Sequence, residues 1–176
     1  SLMEINIPSS VASIESDTFA DCSNLKMIMI DPFRTSLQEN SFLNCNYPKV
    51  IMIIDNTELT SIRENGIKQL FQHIPNIIKI ILPKTITTIE SSSFSNCSTL
   101  VDIEIPTTVT FIGSSAFKGC SSLQSIKIPP SVKTIESSTF LECSSLTSVI
   151  IPESVTTIKS FAFKKCTSLE SITIPS

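Results

Sequence analysis

Phenylalanine recurs along this chain at a fixed interval, and that interval constrains the fold more tightly than any local motif. Phe19 and Phe42 stand 23 apart; after one step of 29, Phe71, Phe94, Phe117, Phe140 and Phe163 follow, again at 23. Cysteine keeps the same beat three places later, at Cys22, Cys45, Cys97, Cys120, Cys143 and Cys166, with Ile74 in the vacant place. Proline marks another column at Pro8, Pro83, Pro106, Pro129, Pro152 and Pro175, which Asp31 and Ile54 interrupt. A period of this length means stacked structural units, each too small to bury its own apolar edge.

Read from Leu100, the unit is L-x-x-I-x-I-P-x-x-V-x-x-I-x-x-x-x-F-x-x-C-x-x. Complete units start at Leu2, Leu25, Pro48, Ile77, Leu100, Leu123 and Leu146, the third holding the longer step, and a partial unit opens at Leu169. Pairs such as Ile103 with Ile105 alternate with polar residues, which is strand spacing. Proline then ends the strand, having no N–H for the ladder. Further on, Ile89, Phe94 and Cys97 fit one short helical or 3₁₀ turn. Stacked at the strand spacing of about 4.8 Å, the Ile, Phe and Cys columns form a continuous core. The expected fold is an α/β solenoid, a right-handed superhelix with a parallel sheet on one face and short helical or 3₁₀ turns on the other.

Seven successive units of this kind closely resemble the leucine-rich repeat of the Treponema pallidum type, found in BspA-like proteins. The resemblance covers nearly the whole chain and departs from the pattern in the second and third units, at Asp31 and Pro48. It implies a leucine-rich repeat fold and a cell-surface or secreted protein engaged in recognition or adhesion. Neither end carries the polar outer face of a capping repeat, so residues 1–176 are expected to be a single repeat domain cut from a longer array.

Composition narrows the partners. Charged residues make up 16% of the chain and the net charge is −3, leaving no basic field for a phosphate backbone, so nucleic acid is not an expected partner. The longest apolar run, residues 50–54, is far short of the roughly 20 a membrane span needs, so direct membrane insertion is not expected. With only 3 glycines, the turns must be built by Ser, Asn, Asp and Pro.

No constellation points to catalysis, and none to a metal or cofactor. Six cysteines on a fixed beat could bridge between neighbouring units, but a repeated column is more simply a small buried apolar group, and C-x-x-C spacing for zinc is absent. His73, the one histidine, has no nucleophile motif and falls among Leu70, Phe71 and Ile74, where a surface position on a helix suffices. Glu15, Glu90 and Glu136 read as solvated or capping groups on the turns, and Gly66, Gly113 and Gly119 form no phosphate loop. The Asn96-Cys97-Ser98 sequon has its cysteine in the core column. The extra residues of the third unit are expected within residues 62–76 as a longer helix, entered through Asn65-Gly66 and stopped by Pro75.

The informative feature is the strand face pointing away from the core. Its two columns are polar in most units, as with Glu4 and Asn6, Asp102 and Glu104, or Ser125 and Lys127. In units two to four they become Met27, Met29, Val50, Met52 and Ile81. Side by side these make an exposed apolar patch, which marks a contact for a protein partner or extracellular ligand, a homodimer interface, or a surface covered by the longer third unit. The leading reading is a non-enzymatic recognition module of a surface protein. The alternative is an intracellular scaffold or targeting domain of a larger signalling protein such as a phosphatase, in the cytoplasm, which six unpaired cysteines would suit.

Overall fold

The computed structural model describes residues 2–47, 49–54, 58–170 and 172. The chain coils through about seven turns, and each turn presents a strand, a second shorter strand and a phenylalanine turn to successive sides, a helix taking the place of the last in the third turn. On the first side β1 (Glu4–Asn6), β3 (Met27–Ile30), β5 (Lys49–Ile53), β7 (Ile77–Ile81) and β9 (Asp102–Glu104) form one parallel sheet in that order. Its alternate residues Ile28, Ile51, Ile80 and Ile103 pair in register and are buried, as the period-two pattern requires. Between β9 and β11 (Ser125–Lys127) the strand ladder lapses, and β11 pairs only with β13 (Ser148–Ile150).

Proline closes the first corner by a turn as well as by stopping the strand: the carbonyls of Pro83, Pro106, Pro129 and Pro152 accept from the amide three places on. Beyond it lies a second ladder that the one-sheet reading of the sequence did not include. It comprises β2 (Ser13–Ile14) with β4 (Ser36–Leu37), then β6 (Ser61–Ile62), β8 (Thr88–Ile89) and β10 (Phe111–Ile112), then β12 (Thr134–Ile135) with β14 (Thr157–Ile158).

On the third side, outside the longer third turn, the expected short helical or 3₁₀ turns are single hydrogen-bonded turns that do not continue as helix among the described residues. Cys97 N donates to Phe94 O at 3.2 Å, an i to i−3 bond, but the residues on either side have crossed to positive φ, Ser92 at 60° and Asn96 at 61°. Two such residues four apart recur in most turns, among them Asp17 with Asp21, Asn40 with Asn44 and Ser115 with Gly119. Each breaks the helical path, so the chain makes single turns instead. Asp, Asn and Ser accept this backbone at modest cost, which is how the coil manages with 3 glycines. Glu142, Phe161 and Lys165, at φ 65°, 62° and 63°, are the exceptions in residue type.

The fully buried rings of Phe94, Phe117 and Phe140 stack down the interior at centroid distances of 5.1 Å and 5.6 Å. Backbone bonds cross between these turns as well, for example Phe94 N to Ala116 O and Phe117 N to Thr139 O. The third side therefore joins the turns across the level at which both strand ladders lapse.

The longer third turn contains α1 (Glu64–His73), the one helix among the described residues, where Ile67 and Leu70 enter the core. Ile51 pairs with Ile80 across the whole of the longer step, so the sheet passes the insertion unbroken. On the second side Ile62 pairs with Ile89, an offset in numbering of 27 where Ile89 with Ile112 has the ordinary 23. Four of the six extra residues therefore follow Ile62 and two precede it, so the insertion is not confined to residues 62–76. Asn65 and Gly66 are likewise inside α1 and do not form its entering turn. Gly66 is there because a Cβ would collide with Cδ1 and Cε1 of Phe33.

Candidate functional site

The strand register brings the five apolar residues of the outward face together. Glu4, Met27, Val50, Lys79 and Asp102 form one column across β1, β3, β5, β7 and β9. Asn6, Met29, Met52, Ile81 and Glu104 form the other. Met27, Met29, Val50, Met52 and Ile81 are all half-buried, neither sealed in the core nor fully open. The core beneath is filled by Ile28, Ile30, Ile51, Ile53 and Ile80. The helix of the third turn packs against β4, on another side of the coil, and does not cover this face.

Lys79 is the charged member that the hydrophobic pattern did not single out. Its Nζ lies 2.5 Å from Glu104 Oε1 and 2.9 Å from Asp102 Oδ2. These bonds, the one to Glu104 foremost, hold its pKa well above the ordinary lysine value. The ammonium is thus bound across the strand boundary, and its two carboxylates border the patch. Its position opposite Asp102, one strand away in the same column, is the sequence signal that could have identified the cluster.

Lys49 is the other unexpected residue. It is fully buried at the start of β5 and pairs with Ile77, in the slot that a leucine or isoleucine fills in other turns. Pro48, the head of the third unit in the sequence, lies outside the described residues, as does Pro175. The Lys49 ammonium donates to the carbonyl of Cys45 at 2.8 Å and to that of Tyr47. Burial lowers its pKa and raises that of Cys45, each effect opposed by the other group's charge. The register slips by one position here, between Lys49 and Val50, which a scan of apolar spacing does not reveal.

The cysteine column is structural. All six thiols are free, and the Sγ of Cys120, Cys143 and Cys166 each donates to the phenylalanine carbonyl of the preceding turn, at 3.0–3.1 Å. Desolvation pushes the Cys97 and Cys143 thiols up to about 12, so they are poor nucleophiles. His73 ends α1 and is half-buried. Glu136 forms an ion pair with Lys159 of the next turn at 2.7 Å, a tie between turns and not a helix cap.

One cleft interrupts the second side. β4 and β6 do not pair, and between them Pro32, Phe33, Arg34, Thr35, Arg63 and Gln69 are among the residues lining a space of about 400 Å³. Gln69 of α1 reaches into it. Its amide oxygen accepts from Leu37 N at 3.2 Å and its nitrogen donates to Thr35 O at 3.0 Å and to Pro32 O.

Comparison with known proteins returns leucine-rich repeat proteins. The family described as "BspA type Leucine rich repeat region (6 copies)" matches residues 1–69 and 67–176. The chain belongs to the BspA-type leucine-rich repeat family. No curated protein matches it. Among solved structures, the leucine-rich repeat protein of T. pallidum aligns over 96% of this chain and 78% of its own, at 24% identity and a TM-score of 0.62. A leucine-rich cell surface protein of Faecalibacterium prausnitzii A2-165 aligns over 96% of this chain and 59% of its own, at 22% identity and a TM-score of 0.61. A leucine-rich repeat protein of Bacteroides ovatus aligns over 95% of this chain and 36% of its own, at 25% identity and a TM-score of 0.51. The chain thus spans 36% to 78% of the length of these three proteins. BspA-type repeats are in general binding scaffolds and not catalytic folds. Among the described residues no helix is long and apolar enough to cross a membrane, and no group of metal-binding side chains is present.

Proposed function

We propose that this BspA-type repeat domain is a non-enzymatic recognition module, and that the outward face of β3, β5 and β7 is its contact site. The observation that carries the reading is the register: Met27, Met29, Val50, Met52 and Ile81 stand side by side on three adjacent strands without filling the core. At the same positions the fifth and sixth turns have Asp102, Glu104, Ser125 and Lys127, so the fold accepts polar groups there. An apolar choice at five neighbouring places serves a partner, and methionine suits a surface that adapts to one. The half-exposed state of the patch supports contact over cover by the third turn. The partner is a protein or an extracellular ligand, and the domain belongs to a cell-surface or secreted adhesion protein; the likeness to a bacterial cell surface protein supports that location.

The test compares wild-type protein with Met29→Glu/Met52→Glu in two measurements: sedimentation velocity for self-association, and retention on immobilised extracellular-matrix proteins. Loss of either interaction in a folded double variant supports the site. Unchanged behaviour in both overturns it.

A further inference from the structure

The boundary between the second and third turns differs from every ordinary boundary in this coil. Where the second ladder is formed it carries paired backbone bonds, Ser36 N donating to Ala12 O and Gln38 N to Ile14 O, and likewise Glu90 N to Ile62 O; where it lapses between β10 and β12 the third side still joins the turns. The third side adds its own, such as Phe19 N to Ser41 O and Asp21 N to Leu43 O. From turn two to turn three, neither set is formed among the described residues, because two extra residues precede β6 and a helix replaces the phenylalanine turn. Among the described residues the two turns are joined by the β3–β5 ladder and by side-chain bonds that include Arg34 to Glu58, Asn76 Nδ2 to Asn46 O at 3.0 Å, and those of Gln69.

Gln69 occupies the place of the missing strand. In a parallel ladder the neighbouring strand accepts from one amide and donates to the carbonyl two positions before it. The Gln69 carboxamide does both, accepting from Leu37 N and donating to Thr35 O, so one side chain stands in for the N–H and C=O of one residue of β6. We infer that Gln69 is a latch on a hinge, and that the hinge lies beneath the contact face. When the latch opens, the strand ladder still joining the two turns is β3 with β5, and its outward residues are Met27, Met29, Val50 and Met52. Opening on the far side therefore bends the sheet along the line that divides the methionine patch, changing the shape it offers. The link to recognition rests on the reading of that patch as a contact site; the latch itself does not.

The test is amide hydrogen exchange by NMR, with methyl-labelled methionine, on Gln69→Leu and Gln69→Glu. Leucine removes every hydrogen bond, whereas glutamate keeps an acceptor for Leu37 but cannot donate to Thr35 or Pro32. The Leu37 amide is expected to exchange about tenfold faster or more in both variants, while Gln38 and Glu90, held by strand carbonyls, stay protected and show that the coil is intact. The Met29 and Met52 methyl signals are expected to shift or broaden, with Met3 unchanged. Leu37 exchange equal to wild type in the leucine variant overturns the latch. Faster Leu37 exchange with all methyl signals unmoved overturns its coupling to the patch. Neither result depends on a ligand, so a failure of the contact reading would show separately, in the matrix and sedimentation experiments.

Discussion

Individual residues follow the columns to which their spacing assigns them, and their chemistry follows from burial. The phenylalanine and cysteine columns were legible because only an inward position excludes polar groups repeatedly at one spacing. Phe117 and Phe140 are fully buried with rings packed on both sides, so Phe117→Ala or Phe140→Ala should cost about 3–5 kcal/mol in denaturant melts. A loss under about 1 kcal/mol would contradict their place in the core. The thiols give a pH dependence. A group whose folded pKa is raised contributes stability fully below its unfolded pKa and loses it as pH rises towards the folded one. For Cys97 and Cys143 that window runs from 9.0 to about 12. Stability should therefore fall with rising pH across it, and less steeply in Cys97→Ala/Cys143→Ala. Identical slopes would show that these thiols do not carry the effect. Lys49 was not legible, since a lone lysine in a strand reads as exposed; only the single-position slip of register buries it.

Elements were legible to the extent that their period is clean. The strands of the first sheet and α1 fall where alternation and helical spacing put them, while the short strands of the second side offer too few positions for periodicity to reveal. The phenylalanine turns looked helical because Phe and Cys are three apart, and positive φ at residues such as Ser92 and Asn96 has no period of its own. Gly66 misled for a different reason. Glycine normally signals a turn, but here it sits within α1 to make room for the Phe33 ring, which comes from the preceding turn of the coil. In a free helix Gly→Ala would stabilise by roughly 0.5–1 kcal/mol. Gly66→Ala should instead destabilise by about 1–3 kcal/mol through the clash, and Phe33→Ala in the same chain should recover most of that loss. Stabilisation by the single change would refute the packing of α1 on Phe33.

At the scale of the whole molecule, three sides share the work of joining turns, and each is interrupted at a different set of levels. The first sheet runs unbroken from β1 to β9, across the seam where the second and third sides part. Where the strand ladders lapse after β9, the phenylalanine turns carry the connection. The candidate site lies on the face that keeps its ladder at the seam, which is why its residues could be named from alternation alone, whereas Lys79 and Gln69 required the neighbours that folding supplies. What distinguishes Met27, Met29, Val50, Met52 and Ile81 from an ordinary strand face is that they are apolar without filling the core, and the proposed contact role requires that the fold not depend on them. The unfolding free energy of Met29→Glu/Met52→Glu in urea tests this most directly. A change within about 1 kcal/mol of wild type at an unaltered m value is the result expected of side chains outside the core. A loss of about 3 kcal/mol or more, the size of an unpaired charge forced into an apolar interior, would place these methionines in the core and contradict the account.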